Sequence, residues 1–155
     1  MYKILLKTNA KNETIQLGIT ISAFLRKGSV ILLSGDLGAG KTTLTQGIAQ
    51  GLQIKDNVIS PTFNILKCYF GKKLNLYHID AYRLENAMSD IGLEEFIDGD
   101  GACVVEWPQY INKLLPSNTL NIEILNKGDN TRLFTISSSN SIYEQLFILL
   151  ENLYV

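Results

Sequence analysis

Eight consecutive residues, Gly35-Asp36-Leu37-Gly38-Ala39-Gly40-Lys41-Thr42, satisfy the pattern G-x-x-x-x-G-K-[ST] at every fixed position. A loop of this kind wraps a polyphosphate. Its glycines admit positive φ angles and close approach, so that successive backbone N–H groups can converge on an anion. The helix that opens at the end of the loop adds unpaired N–H donors and the positive end of its dipole. Lys41 supplies a point charge for the β and γ phosphates, the Thr42 hydroxyl is placed to ligate Mg²⁺, and Thr43 follows in the same turn. The motif also dictates its surroundings, a buried strand before it and a helix after it. Residues 30–34 are a short, continuous, β-branched apolar run that reads as a buried parallel strand, and 41–52 read as the helix.

The rest of the chain extends the same design. Residues 2–7 alternate as an edge strand, and Asn12 is placed to cap a helix over 13–27 that ends at Gly28. Residues 57–70 read as extended, broken at Ser60-Pro61; a turn at 71–73 then leads to a strand over 74–80, so that 63–80 form a hairpin. Residues 85–96 read as helix, 98–101 as a loop, and 102–105 as a second buried strand closed by Glu106. Pro108 opens a short helix that Pro116 stops. Two alternating strands, 119–125 and 132–138, flank a polar turn, and 141–153 form a terminal amphipathic helix. The fold class is therefore α/β, a P-loop NTPase with a central, mainly parallel sheet, antiparallel additions and flanking helices. At 155 residues a single nucleotide-binding domain over 1–155 is expected.

Charge and cysteine usage narrow the partners. The net charge is −1 and the basic residues form only short pairs, Arg26-Lys27 and Lys72-Lys73, so a chain that grips nucleic acid alone is not expected. Any RNA would be brought by a partner. Cys68 and Cys103 lie in separate apolar runs and supply neither a disulfide framework nor a metal spacing. The first residues are too interrupted for a signal peptide, and no apolar run nears the ~18 residues that span a bilayer, so a cytoplasmic protein with no membrane association is expected.

A phosphate loop binds; hydrolysis also needs a carboxylate near the metal and a group that orients water. Acids at the C-terminal ends of buried parallel strands stand at the edge of the sheet where ligands sit. Glu106 closes one such run and Asp80 another, and each is either a metal ligand or an ordinary strand end. Thr62, after Ser60-Pro61, is either a γ-phosphate sensor or a turn residue. His78, the sole histidine, shares a strand face with Asp80 and is either part of a polar site or a structural, hydrogen-bonded imidazole. Trp107 either covers the nucleotide or packs in the core.

Two further segments imitate guanine-nucleotide signatures: Asn126-Lys127-Gly128-Asp129 fits N-K-x-D and Asp98-Gly99-Asp100-Gly101 fits D-x-x-G. The first lies between two alternating strands and reads as a hairpin turn, and the second follows a helix rather than a buried strand. Both matches read as accidental. A GTP-dependent switch and a small-molecule P-loop kinase stay as alternatives, although no Arg-rich lid of the kind kinases close over their donor is evident.

Taken in order, residues 35–43, Ser60-Pro61-Thr62-Phe63, the run His78-Ile79-Asp80-Ala81-Tyr82-Arg83-Leu84, and Glu106-Trp107-Pro108 closely resemble the bacterial TsaE (YjeE) family. The resemblance runs from about residue 12 to residue 108, and more loosely to the end. It implies an ATPase of tRNA threonylcarbamoyladenosine (t6A) formation, with ATP/ADP and Mg²⁺ as cofactors and low intrinsic turnover. It implies action on partner TsaD and TsaB proteins rather than transfer of the group itself, contact with tRNA only through that complex, and a monomer when isolated. Carried onto this chain, it implies Thr42, Glu106 and Asp80 near Mg²⁺, with Asp80 serving the metal or the attacking water. Lys41 would hold the β/γ phosphates, Thr62 would belong to a nucleotide-responsive loop, and Tyr82 and Arg83 would position that loop or a partner. Thr14 would lie by the adenine, and Trp107 beside the nucleotide.

Overall fold

A computed structural model describes residues 1–36, 38–61, 64–84 and 92–155. Seven strands form one sheet: β1 (Tyr2–Thr8), β2 (Val30–Gly35), β3 (Leu66–Tyr69), β4 (Leu76–Asp80), β5 (Ala102–Glu106), β6 (Leu120–Gly128) and β7 (Thr131–Ser138). Their spatial order is β1-β7-β6-β2-β5-β4-β3. The four middle strands, β6-β2-β5-β4, pair in parallel, while β3, β7 and β1 add antiparallel pairs at the two sides. The expected architecture is thus the observed one. Every residue of β4 and of β5 is buried, which explains why these strands read as continuous apolar runs rather than alternating ones.

The helices are α1 (Lys11–Ser22), α2 (Lys41–Gly51), α3 (Glu94–Ile97) and α4 (Glu144–Tyr154). Two apolar layers flank the sheet. One holds Leu17 and Ile21 of α1, Leu44 and Ile48 of α2, Leu146 and Leu150 of α4, and Ile31, Leu33 and Val104 of the sheet. The other holds Val30, Ile79, Cys103 and Val105 with Ile97 and Ile111.

Several boundaries depart from the sequence reading. Asn12 is not the cap of α1: the helix starts at Lys11 with Ala10 as N-cap and no side-chain cap, and the Glu13 carboxylate accepts from the N–H of Asn9, just outside the helix, at 3.3 Å. The helix ends at Ser22, six residues before Gly28, and unwinds through i→i−3 bonds from Phe24 and Leu25. Of the helix expected over 85–96, residues 85–91 lie outside the described residues. Beyond them Gly92 has φ +85°, and only Glu94–Ile97 is helical. The strand expected from residue 74 begins at Leu76. Pro108–Leu114 is a 3₁₀ helix kinked at Ile111, and a 3₁₀ turn, Ser141–Tyr143, precedes α4. Among the described residues no helix is long and apolar enough to cross a membrane.

Candidate nucleotide-phosphate site

The motif stands where its surroundings require. β2 ends at Gly35, α2 begins at Lys41, and Gly38 and Gly40 take φ +79° and +110°, values that a side chain would strain. Gly35 needs its hydrogen for a different reason: a Cβ there would lie 2.9 Å from the Ile124 carbonyl oxygen of the neighbouring strand. Ala39 is buried, whereas Asp36, Gly38, Gly40, Lys41, Thr42 and Thr43 line an open cleft of about 630 Å³.

Strand register brings the acids to the same cleft. Asp80 of β4 pairs with Glu106 of β5, and Glu106 pairs with Leu33 of β2, so both carboxylates stand at the C-terminal end of the parallel strands beside the loop. Asp80 and Glu106 both line the cleft. Glu106 is almost fully buried, and its two oxygens have separate partners: Oε1 lies 3.4 Å from Lys41 Nζ, and Oε2 lies 2.6 Å from His78 Nε2. Burial raises the Glu106 carboxyl, but the hydrogen bond from His78, with Lys41 beside it, outweighs that and holds it below its ordinary value. One Asp80 oxygen accepts the backbone N–H of Tyr82 at 3.0 Å, which fixes the turn that follows β4.

An aromatic wall closes one side. Trp107 adopts φ +57°, ψ +51°, a left-handed conformation that costs a bulky residue on the order of 1–3 kcal/mol. Its ring stacks on Tyr110 at 6.1 Å and meets Tyr82 at 5.0 Å, and Lys41 Nζ stands 5.2 Å from its centroid. Of the two placements the sequence left open for Trp107, packing is observed, against the second apolar layer, and the residue also lines the cleft.

Not every expected residue gathers here. Thr14 is buried, its hydroxyl is bonded to that of Thr8 at 2.7 Å, and it is not among the described residues that line the cleft. Leu37, Thr62 and Phe63 lie outside the described residues. Ser60, which begins their segment, lines the cleft. Arg132 is the residue that the sequence reading missed. Its Nη1 donates to Asn126 Oδ1 at 3.0 Å and to the Thr131 carbonyl at 3.1 Å, and its side chain lies over Gly40 at the rim. No pattern in the sequence gave its place: β6 runs parallel to the P-loop strand and so delivers its hairpin to the ligand edge of the sheet, a pairing set only in the assembled sheet. That hairpin is the N-K-x-D segment, and the Asn126 side-chain oxygen in it is already engaged by Arg132 and by the Gly128 N–H.

The donor set suits a hard cation. Among the described residues no group of three or more His, Cys, Asp and Glu side chains could hold a metal alone. A hydroxyl and one or two carboxylates facing a phosphate cleft are what Mg²⁺ takes when phosphate oxygens complete its shell.

A family model described as threonylcarbamoyl adenosine biosynthesis protein TsaE matches residues 8–134. A tRNA threonylcarbamoyladenosine biosynthesis protein TsaE of Bacillus subtilis (strain 168) is 44% identical over 140 residues, covering 90% of this chain and 89% of that one. The protein of the same name from Treponema pallidum (strain Nichols) is 38% identical over 132 residues, covering 84% and 97%. A crystal structure of Bacillus subtilis YdiB superposes with a TM-score of 0.81 at 38% identity, covering 97% of this chain and 95% of that chain.

Proposed function

The chain belongs to the TsaE family of tRNA threonylcarbamoyladenosine biosynthesis proteins, and from that premise we propose that it is the Mg²⁺-dependent ATPase of that system. It acts in the cytoplasm on a TsaB–TsaD partner complex and does not itself transfer the threonylcarbamoyl group. The observation that carries the reading is the convergence of Lys41, Thr42, Asp80 and Glu106 on one cleft at the carboxyl end of the parallel strands.

Each residue then has a role that its position supports. The loop N–H groups from residue 36 onward and the N-terminus of α2 wrap the phosphates. Lys41 leaves Glu106 for the β/γ oxygens, a charge-for-charge exchange over a short reach. Thr42 and Glu106 hold Mg²⁺, which supplies neutralisation of the charge that builds on the transferring phosphoryl group. Asp80, anchored through the Tyr82 N–H, orients the attacking water. Trp107 and Tyr82 wall the cleft on one side, and Arg132 adds a cation at its rim. ATP is favoured over GTP because the N-K-x-D segment, the one of the two that would read a guanine base, is a β6–β7 turn whose Asn126 is occupied within the turn. The chain's slight net negative charge suits a component that leaves tRNA to its partners.

The deciding measurement is ATP turnover of the purified chain alone and with TsaB–TsaD. Slow turnover alone and strong stimulation by the complex is the expected result. Phosphate release that the complex leaves unchanged, or a clear preference for GTP, removes the reading.

A further inference from the structure

His78 is buried at 0% exposure in the middle of the sheet. Its strand pairs in register with β5, His78 opposite Val104 and Asp80 opposite Glu106, so His78 is the diagonal neighbour of Glu106 on the face that meets α2. The imidazole makes one side-chain hydrogen bond, Nε2 to Glu106 Oε2 at 2.6 Å, and Nδ1 has no partner among the described residues. An unpartnered buried N–H is costlier than an unpartnered lone pair, which assigns the proton to Nε2 and makes Nε2–H the donor. A buried imidazole with one bond and no partner for Nδ1 among the described residues is a poor device for packing alone; what it supplies that an apolar residue of similar size could not is the hydrogen bond to Glu106. The bond it makes is to one oxygen of a carboxylate whose other oxygen faces the phosphate loop.

We propose that His78 is a positioning residue for Glu106. It holds Oε2 and so directs Oε1 into the cleft, where Oε1 can exchange Lys41 for the cation that accompanies a nucleotide. The inference rests on the reading of the cleft as a Mg²⁺-nucleotide site. Carboxylate ligands are themselves oriented by hydrogen bonds, and loss of such a partner weakens metal affinity by about 10–100-fold. His78 is not among the described residues that line the cleft, and its side-chain hydrogen bond goes to Glu106, so its effect on the site passes through that carboxylate.

The test compares ADP affinity, by calorimetry with and without Mg²⁺, in the unaltered chain, His78→Leu and His78→Gln. The Gln amide nitrogen stands about where imidazole Nε2 stands. The expected result is similar affinity for ADP alone in all three and a strengthening by Mg²⁺ that falls about 10–100-fold in His78→Leu and is largely restored in His78→Gln. A full Mg²⁺ effect in His78→Leu, or an equal loss in both variants, overturns the proposal while leaving the cleft reading intact. Failure of the unaltered chain to bind ADP at all removes the cleft reading and the proposal with it. A second measurement does not depend on the variants folding. Because His78 is the sole histidine, nitrogen-15 NMR reports it without ambiguity. A slowly exchanging Nε2–H whose shift moves when Mg²⁺ joins the ADP complex supports the assignment; an Nδ1–H tautomer, or a signal indifferent to Mg²⁺, overturns it.

Discussion

Lys41 Nζ stands 3.4 Å from Glu106 Oε1, so the lysine of the phosphate loop is paired with the acid that closes β5. The two residues are far apart in sequence and meet because β2 and β5 are adjacent and in register, Leu33 beside Glu106. Both residues line the cleft, and their side chains are largely buried, at 11% and 5% exposure, so water screens the pair little. A polyphosphate and its cation offer each partner an opposite charge, so the contact can open without leaving either charge bare.

Removing the lysine should therefore weaken binding more than folding. A hydrogen bond to a charged group contributes roughly 1.5–3 kcal/mol, which is about 10–100-fold in affinity. Lys41→Met should lose that much affinity for Mg-ADP by calorimetry. Glu106 keeps His78 in the variant, so the fold should persist. Undiminished affinity would mean that Lys41 does not meet the phosphates.

The carboxylates should separate binding from turnover. Glu106→Gln and Asp80→Asn keep size and most hydrogen bonding but lose the charge that a cation or an attacking water needs. Single-turnover hydrolysis should slow on the order of 100-fold in each, with a smaller change in nucleotide affinity. A variant that hydrolyses ATP at the unaltered rate loses its place in the site.

The site was only partly legible before the fold was known, and the reason is physical. The loop, β2 and α2 are written in one continuous stretch, so local pattern sufficed for them. Glu106 and Asp80 could be found because each ends a buried run. The bond between His78 and Glu106 could not, because it depends on the register of two strands whose connection carries no pattern that sets register. Arg132 was hidden for a similar reason: its turn was read correctly, but the placement of β6 beside β2 is a property of the assembled sheet. The start of α1 moved because the Ala10 carbonyl, rather than the Asn12 side chain, accepts the first helical N–H groups, those of Glu13 and Thr14.

The position of α2, and with it Lys41 and Thr42, depends on close contact with α1. A Cβ at Gly47 would lie 2.2 Å from the Ile15 carbonyl oxygen, and one at Gly18 would lie 2.5 Å from the Leu44 carbonyl oxygen. Backbone cannot swing aside as a flexible side chain can, so the helices would have to part. Gly47→Ala should cost about 2 kcal/mol, after the small gain in helix propensity, and lower Tm by roughly 4–8 °C. An unchanged or higher Tm in thermal unfolding, which propensity alone would give, would show that the helices are not packed this closely.

Cys103 and Cys68 flank Tyr77 in register on adjacent strands, yet their surroundings differ. Burial, with a smaller contribution from Cys68 nearby, pushes the Cys103 thiol from 9.0 up to about 12, whereas Cys68 is exposed at the sheet edge. For a group whose folded value is raised, the neutral form belongs to the folded state. The stability linked to Cys103 is therefore complete below its unfolded value near 9.0 and is lost as pH rises from there toward about 12. The loss runs at up to about 1.4 kcal/mol per pH unit in that window. Tyrosines and lysines also titrate there, so the comparison must be with Cys103→Ala, which retains all of them. Urea unfolding should find the variant less stable than the unaltered chain near neutrality, as expected for a truncated core side chain, and the gap should narrow as the pH is raised to about 10.5. In the same window iodoacetamide should label Cys68 and leave Cys103 until the chain unfolds, because only a thiolate within reach of solvent reacts. Parallel stability curves for the two proteins, or two labelled cysteines in the folded chain, would place Cys103 in contact with solvent and contradict its position inside β5.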